Sequence, residues 1–217
     1  AVWIDIVVPL MEVYEQYRQH DAPVLVFASG DPLFFGYTTT LMREFPGLVR
    51  QTYPSFSSLQ LLAHALRLPY HDMRFVSLTG RPWHEFDRVL IERAPKVGIL
   101  TDRKNTPSRI AQRMLDYGYT DYRMHVGVLL GGERQETYTL PLEEVVDKDF
   151  AHPNCLIIEA TKVSQYDAPL GLKELDFFPL NGRVKMITKM PVRLVSLSLL
   201  ELEQRRSFWD VGFCTGS

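Results

Sequence analysis

Apolar residues occur along the chain in short runs that alternate with stretches of helical periodicity. Residues 23–28 (PVLVFA) form a continuous apolar run, which is typical of a strand buried on both faces. Leucines recur at helical spacing over residues 59–66, and Ser57 and Ser58 precede them as capping residues. Residues 135–140 alternate between polar and apolar, as antiparallel strands do.

The same patterns, followed to the end of the chain, predict an α/β protein. Strands are predicted at residues 23–28, 48–53, 74–78, 97–100, 123–129, 135–140, 155–159 and 207–211. Helices are predicted at residues 35–45, 59–66, 84–93, 107–117, 142–146 and 191–203. Periodicity weakens over residues 161–182, which are rich in Pro and Gly and are predicted to be a linker.

Composition and charge narrow the class of protein. The formal net charge of −2 gives no reason to expect a nucleic-acid-binding surface, so local arginines must hold any anionic ligand. No apolar run approaches the roughly 20 residues of a membrane-spanning helix, and no signal peptide is evident. The six histidines lack metal-ligand spacing, and the two cysteines, Cys155 and Cys214, are predicted to be free thiols. We therefore expect a cytosolic protein without a metal.

Two polar segments follow predicted strands, where open α/β sheets bind their ligands. In residues 29–36 (SGDPLFFG), Gly30 permits close backbone approach to a ligand and the Asp31 carboxylate can accept hydrogen bonds. The alternative is a tight Asp-Pro turn without a ligand. Residues 54–58 (PSFSS) form either a polar pocket or a simple helix cap.

Three further loops carry glycines beside polar residues. Arginines in residues 79–81 (TGR) and 130–134 (LGGER) could each grip a carboxylate with two parallel hydrogen bonds. Solvated loop arginines are the alternative. Residues 210–216 (DVGFCTG) form a glycine-rich turn after a predicted strand, a weak indication of a nucleotide-like cofactor.

Taken in order, these segments resemble the tetrapyrrole methylases. Residues 28–36 resemble the SGDPxFYG loop of that family, and residues 54–58 resemble its P-G-(V/I)-S-S segment, with Ser55 in place of glycine. Four further segments resemble the branch that methylates C5 and C15 of precorrins: residues 76–81 (VSLTGR), 100–107 (LTD and NTP), 130–134 and 153–159 (PNCLIIE). Thr79 stands where that branch commonly has histidine.

The end of the chain resembles a second methyltransferase. Residues 186–193 (MITKMPVR) and 209–217 (WDVGFCTGS) resemble the start of the C15-methylating, decarboxylating partner, which is often fused behind the C5 enzyme. Pro191 replaces a glutamate of that pattern. Cys214 replaces a glycine, and its side chain could crowd a cofactor.

The resemblance implies two α/β/α subdomains with S-adenosylmethionine in the cleft between them, usually in a homodimer. Residues 1–79 would be the first subdomain, N-terminally truncated because the glycine-rich loop that normally ends its first strand is absent. Residues 80–160 would be the second subdomain and 161–182 the linker. Residues 183–217 would begin a Rossmann-like class I methyltransferase domain. The implied activity is S-adenosylmethionine-dependent C-methylation of a precorrin in cobalamin biosynthesis.

The resemblance also implies roles for individual residues. Ser29, Gly30, Asp31 and Phe34 would surround the amino acid and ribose portions of the methyl donor. Ser57 and Ser58 would touch its polar end, with Thr79 and Asn154 on the adenine side. Asp31 is the residue expected to matter most for catalysis, and Arg81 and Arg134 would hold substrate carboxylates.

Two other functions remain open from the sequence. A relative of the same fold could methylate RNA or a protein side chain, although the linker and the second methyltransferase start argue against it. A non-catalytic module with a degenerate pocket is the other alternative, favoured by Ser55, Cys214 and the missing N-terminal loop.

Overall fold

A mixed five-stranded sheet lies at the centre of the first of two units, Ala1–Val163 and Ser164–Ser217, in the computed structural model. The structure describes residues 2–162, 171–177, 186–205, 207–209 and 211. The strands are β1 (Arg74–Ser77), β2 (Lys96–Leu100), β3 (Tyr122–Val128), β4 (Glu136–Pro141) and β5 (Asn154–Ala160). Their order across the sheet is β1-β2-β5-β3-β4.

Strand direction brings several loops to one edge of this sheet. β1 and β2 are parallel, whereas β5 is antiparallel to both β2 and β3. Ser77 pairs with Leu100, Leu100 with Cys155, and Val128 with Asn154. The carboxyl ends of β1, β2 and β3 therefore meet the start of β5 at the same edge.

Helices cover both faces of the sheet. The helices on one face are α4 (His84–Ile91), α5 (Pro107–Asp116) and α6 (Leu142–Val146), and their buried side chains form the larger core with the strands. Helix α3 (Ser58–Leu66) packs on the other face through Leu59 and Leu62. A Cβ at Gly98 of β2 would lie 2.9 Å from Leu59 Cδ1, so glycine permits this close approach.

Residues before α3 form helices but no strand. These are α1 (Leu10–Arg18) and α2 (Tyr37–Glu44). Tyr14 of α1 contacts Phe45 edge to face, with 5.4 Å between the ring centroids. Tyr14 of α1 and Leu41 of α2 are both buried, so each helix has a side chain covered by the rest of the protein.

The strands predicted at residues 23–28 and 48–53 are wrong for the described structure, which contains no strand before Arg74. Residues 23–28 are predicted to be buried on both faces, yet Leu25 and Phe27 are about 70% exposed (68% and 70%). Phe27 stacks on Trp3, with 6.5 Å between the rings, instead of packing in a sheet. An apolar run favours extended backbone, but a strand also needs a neighbour to accept its hydrogen bonds.

The remaining predicted elements of this unit are confirmed to within two residues at each end. The five strands from residue 74 onward and the helices near 35–45, 59–66, 84–93, 107–117 and 142–146 all form. The predicted antiparallel character of residues 135–140 is confirmed by the pairing of β4 with β3.

The second unit contains α7 (Met190–Leu199) and 3-10 turns at Glu174–Asp176 and Leu202–Gln204. Arg193 of α7 is buried, donates to the carbonyls of Thr188 (2.6 Å) and Leu172, and lies 4.5 Å over the ring of Phe177. The strand predicted at 207–211 is wrong at residues 207–209 and 211, which are not in a strand. Residues 210 and 212–217, with Cys214 and most of the glycine-rich turn, lie outside the described residues, as does most of the predicted linker.

Candidate active site

A chain of polar contacts crosses the edge of the sheet where β1, β2 and β5 meet. The Thr79 hydroxyl donates to the Thr101 carbonyl at 3.0 Å. The Thr101 hydroxyl lies 2.5 Å from the Asn154 carbonyl oxygen and 2.7 Å from its Oδ1. The Asn154 amide donates in turn to the Ala151 carbonyl at 3.0 Å. Thr79 and Asn154, both predicted on the adenine side of the donor, are thus brought together through Thr101.

Asp102 ties the loops after β1 and β2 into one structure. Its carboxylate accepts from the backbone N–H groups of Gly80 (2.8 Å), Lys104 (2.8 Å) and Asn105 (2.7 Å). Burial raises the pKa of Asp102, but these hydrogen bonds together outweigh it, so the pKa lies below its ordinary value. Asn105 is buried and its amide donates to the Leu78 carbonyl at 2.9 Å.

The turn at residues 29–36 owes its shape to its glycines and to Asp31. Oδ1 of Asp31 accepts from the Leu33 N–H at 2.8 Å, which closes an Asx turn. Gly30 has φ +77°, and a Cβ there would lie 4.0 Å from the carbonyl oxygen of Phe56. A Cβ at Gly36 would lie only 2.5 Å from the Pro32 carbonyl oxygen, so no larger residue fits. The turn therefore lies beside residues 54–58.

Two aromatic residues attach this turn to the end of β1. Phe34 contacts Phe75 of β1 edge to face at 5.1 Å and packs on the cluster beneath α3. Phe35 lies beneath the guanidinium of Arg81, with 5.1 Å from Cζ to the ring centroid. The turn thus contacts the loop that carries Thr79 and Arg81.

The two serines before α3 have distinct environments. Ser57 is buried and forms a capping box, in which its hydroxyl accepts from the Gln60 N–H while Gln60 accepts from the Ser57 N–H. Simple capping, one of the two sequence readings, is therefore present. Ser58 interacts with the thiol of Cys155 on β5. Burial raises the pKa of that thiol to about 12, and the weaker effect of Ser58 lowers it.

Arg134 lies at the same edge of the sheet but farther along it. The loop after β3 and Pro153 line an open depression of about 500 Å³, and Arg134 is exposed in its wall. Adjacent strands are about 4.8 Å apart, so the roots of the loops after β1 and β3 are separated by roughly 14 Å. Arg81 and Arg134 are thus at opposite ends of one polar edge and not in contact.

Three of the residues that organise this edge were given no role from the sequence: Thr101, Asp102 and Asn105. A usable signal was present, because an Asp and an Asn follow a buried strand and precede a Thr-Pro helix start. Thr106 caps α5 by accepting from the Arg109 N–H at 3.3 Å. Short polar side chains in such a loop can hydrogen-bond the backbone of neighbouring loops.

No group of three or more His, Cys, Asp or Glu side chains in the described part of the chain is arranged to hold a metal ion. No helix there combines the length and apolar character needed to cross a membrane.

Comparison with known proteins identifies the family. Residues 9–146 match the family model described as Tetrapyrrole (Corrin/Porphyrin) Methylases. A precorrin-6Y C(5,15)-methyltransferase [decarboxylating] of Sinorhizobium sp is 32% identical over 208 residues, covering 94% of this chain and 49% of the relative. The cobalt-precorrin-7 C(5)-methyltransferase of Salmonella typhimurium is 31% identical over 127 residues, covering 58% of this chain and 62% of the relative.

A solved structure agrees at the level of the fold. The crystal structure of the methyltransferase CobJ superposes with a TM-score of 0.54 at 16% identity, covering 72% of this chain and 73% of that chain. The chain spans about half the length of the Sinorhizobium relative. The family model covers well over half of the chain, and the six sequence segments that resembled the family lie mostly within it or just beyond it. The chain belongs to the tetrapyrrole methylase family.

Proposed function

We propose that this protein transfers a methyl group from S-adenosylmethionine to C5 of a precorrin, as part of a bifunctional enzyme of cobalamin biosynthesis. The single observation that carries the proposal is the position of the turn at residues 29–36. Gly30 lies beside the Phe56 carbonyl and Phe35 lies beneath Arg81, so segments far apart in sequence border one site. The names of the two relatives support the choice of a precorrin as substrate.

The residues at this site suit a methyl donor of this type. The proposed donor contacts are Ser29, Gly30, Asp31, Phe34, Ser57, Ser58, Thr79 and Asn154. Backbone at Gly30 is open to close approach, because nothing but the Phe56 carbonyl lies within 4.0 Å of a Cβ built there. The Asp31 carboxylate keeps Oδ2 available after Oδ1 has accepted from Leu33. That oxygen could accept from an ammonium or a hydroxyl group of the donor.

Some of these residues would hold the surrounding backbone in place and would not contact the methyl donor through their side chains. The Asn154 amide already donates to Ala151, and its Oδ1 faces the Thr101 hydroxyl. The Ser57 hydroxyl is occupied by the cap of α3. We propose that both hold backbone groups at the edge of the site. The Thr79 hydroxyl donates to Thr101 and can still accept a hydrogen bond from the methyl donor, and Ser58 presents a second hydroxyl.

The reaction needs little acid or base chemistry from the protein. S-adenosylmethionine supplies an electrophilic methyl group on a sulfonium, and a ring carbon of the tetrapyrrole supplies the electron pair. Alignment of two bound reactants contributes roughly 7–11 kcal/mol, whereas one general acid or base contributes about 3–5 kcal/mol. Arg81 and Arg134, at opposite ends of the edge, are proposed to hold substrate carboxylates so that the ring cannot turn.

The test is methyl transfer by the full-length protein. Incubation with methyl-labelled S-adenosylmethionine and a precorrin lacking the C5 methyl group should place the label at C5, as located by carbon-13 NMR. The Asp31→Asn variant should lose labelling at C5 while the fused partner still labels C15. Absence of label at C5 from a folded wild-type protein would contradict the proposal.

A further inference from the structure

Positive side chains are concentrated on the two loops that Asp102 joins and on the first turn of α5. Arg81 follows β1, whereas Arg103, Lys104 and Arg109 follow β2, and all four are exposed. Asp102 is the one carboxylate within residues 78–84 and 101–109, so these segments carry three uncompensated positive charges. The whole chain has a formal net charge of −2. The positive charge at this edge therefore comes from these two segments and not from the net charge of the chain.

The Asp102 carboxylate is turned toward the backbone and not toward these cations. It accepts from three backbone N–H groups and lies 3.4 Å from the Asn105 amide nitrogen. A carboxylate with these partners has little capacity left for a guanidinium or an ammonium. It also joins the backbone of the loop after β1 to that of the loop after β2.

The four cations form no ion pair within residues 2–162. Other arginines of the same unit are paired: Arg74 and Arg88 with Glu92, and Arg113 with Asp87 through two hydrogen bonds of 2.8 and 2.7 Å. The Arg109 guanidinium donates instead through Nη1 to the Lys104 carbonyl at 3.3 Å, which orients the guanidinium beside the loop after β2. Arg81 lies over Phe35. Guanidinium groups that have no carboxylate partner are suited to binding the carboxylates of a ligand.

We infer that Arg103, Lys104 and Arg109, beside Arg81, form a subsite for the carboxylate side chains of the tetrapyrrole substrate. We call these four residues the basic rim. The inference rests on the proposed function. It lies at the β1–β2 end of the polar edge, and the loop of Arg134 lies at the β3 end. A macrocycle with carboxylates around its periphery can contact both ends at once. The rim binds the substrate's periphery and takes no part in holding the methyl donor.

The experiment uses the full-length protein and uroporphyrin, a carboxylate-bearing porphyrin, as the probe. Binding is followed by quenching of porphyrin or tryptophan fluorescence at low and high salt. The double variant Arg103→Ala/Lys104→Ala is expected to bind uroporphyrin about tenfold more weakly at low salt, with a flatter salt dependence. The charge-conserving variant Arg103→Lys/Lys104→Arg should retain most of the affinity.

A matched control removes the same charge elsewhere. Arg88 lies near the end of α4 and Lys162 follows β5, both toward the opposite edge of the sheet. The variant Arg88→Ala/Lys162→Ala should bind uroporphyrin like the wild type. An equal loss in this control, or unchanged affinity in the Arg103→Ala/Lys104→Ala variant, would overturn the inference.

Kinetics separate this inference from the proposed function. In the methylation assay, the rim variant should raise KM for the precorrin about tenfold with little change in kcat, and S-adenosylhomocysteine affinity should stay as in the wild type. If the wild type methylates C5 and the rim variant has an unchanged KM, only the rim is wrong. If the wild type transfers no methyl group, the proposed function itself fails.

Discussion

The backbone N–H of Gly80 donates to Oδ2 of Asp102 at 2.8 Å, which joins the loop after β1 to the loop after β2. The same carboxylate accepts from the backbone N–H groups of Lys104 and Asn105, so one side chain orders the backbone of both loops. The position of Thr79 and Arg81 therefore depends on a residue outside the predicted set of donor and substrate contacts.

Replacing Asp102 should destabilise the fold and loosen this edge. Asp102→Ala leaves three N–H groups without their acceptor and is expected to lower the free energy of unfolding by about 1–3 kcal/mol. Because the folded-state pKa of Asp102 is depressed, its contribution is present above the unfolded value of about 3.9 and is lost as pH falls through the folded value. Urea denaturation at several pH values measures this. If the difference in free energy of unfolding between the wild type and Asp102→Ala grew below pH ~4, the depressed pKa of Asp102 would be contradicted.

Gly36 tests the shape of the turn at residues 29–36. Its backbone is extended (φ −82°, ψ 168°), so alanine is conformationally acceptable, but its Cβ would lie 2.5 Å from the Pro32 carbonyl oxygen. Gly36→Ala should therefore open the turn and weaken donor binding at least tenfold, with a loss of stability of about 1–3 kcal/mol.

Gly47→Ala is the matched control for that variant. Gly47 has φ +77° and nothing within 4 Å of its Cβ position, so alanine there costs backbone strain of about 1 kcal/mol without a steric clash. Donor affinity should be unchanged in Gly47→Ala. Equal affinity in Gly36→Ala and wild type would show that the turn does not shape the donor site.

His125 should make stability depend on pH. It is buried on β3, Nδ1 pairs with the Thr139 hydroxyl at 2.9 Å, and Nε2 lies 3.4 Å from Glu159 without a hydrogen bond in the described structure. Burial lowers its pKa, and the smaller effect of Glu159 opposes this. The unfolded state, with a pKa near 6.5, then binds the proton first, so stability falls as pH drops below about 6.5.

Thermal unfolding of His125→Gln between pH 7.5 and 5.5 checks this relationship. The variant should lose part of the pH dependence of Tm that the wild type has, because glutamine does not titrate. His84→Gln, at an exposed position, should keep it. A wild-type Tm that rises as pH falls through 6.5 would contradict the buried neutral state of His125.

The Cys155 thiol should be unreactive in the folded protein. It is 1% exposed, and burial raises its pKa to about 12, so almost no thiolate is present at neutral pH. Iodoacetamide at pH 8 should modify the peptide that contains Cys155 only after denaturation, as measured by mass spectrometry. Complete labelling of that peptide under native conditions would show that α3 does not cover β5 as described.

Much of the sheet could be predicted from sequence, because its strands are short apolar runs bounded by Gly, Pro and polar residues. The cap of α3 at Ser57 was predicted for the same reason, since capping is a local interaction. Residues 23–28 show the limit. Their apolar run resembles a buried strand, yet pairing is not local, and the structure leaves Phe27 exposed.

In the candidate site, too, local features could be predicted from the sequence and contacts between distant segments could not. A role for Gly30 was predicted from the SGDPLFFG pattern, and its φ of +77° is one that glycine adopts readily; the close contact at Gly36 was not predicted. The contact of Arg81 with Phe35 was not visible, since it joins two loops separated by 45 residues of sequence. The Thr79–Thr101–Asn154 contacts depend on the antiparallel insertion of β5 beside β2, and no local pattern encodes that order.

The role of Asp31 is the most direct test of the account, and calorimetric titration of the full-length protein with S-adenosylhomocysteine measures it. Asp31→Asn keeps an oxygen to accept from the Leu33 N–H and removes the charge, whereas Asp31→Ala removes both. Circular dichroism establishes that each variant is folded. We predict that both variants bind S-adenosylhomocysteine at least tenfold more weakly than the wild type at the site that contains Asp31, or that binding at this site is no longer detected. Titration curves identical to the wild type in both folded variants would contradict the proposed donor site.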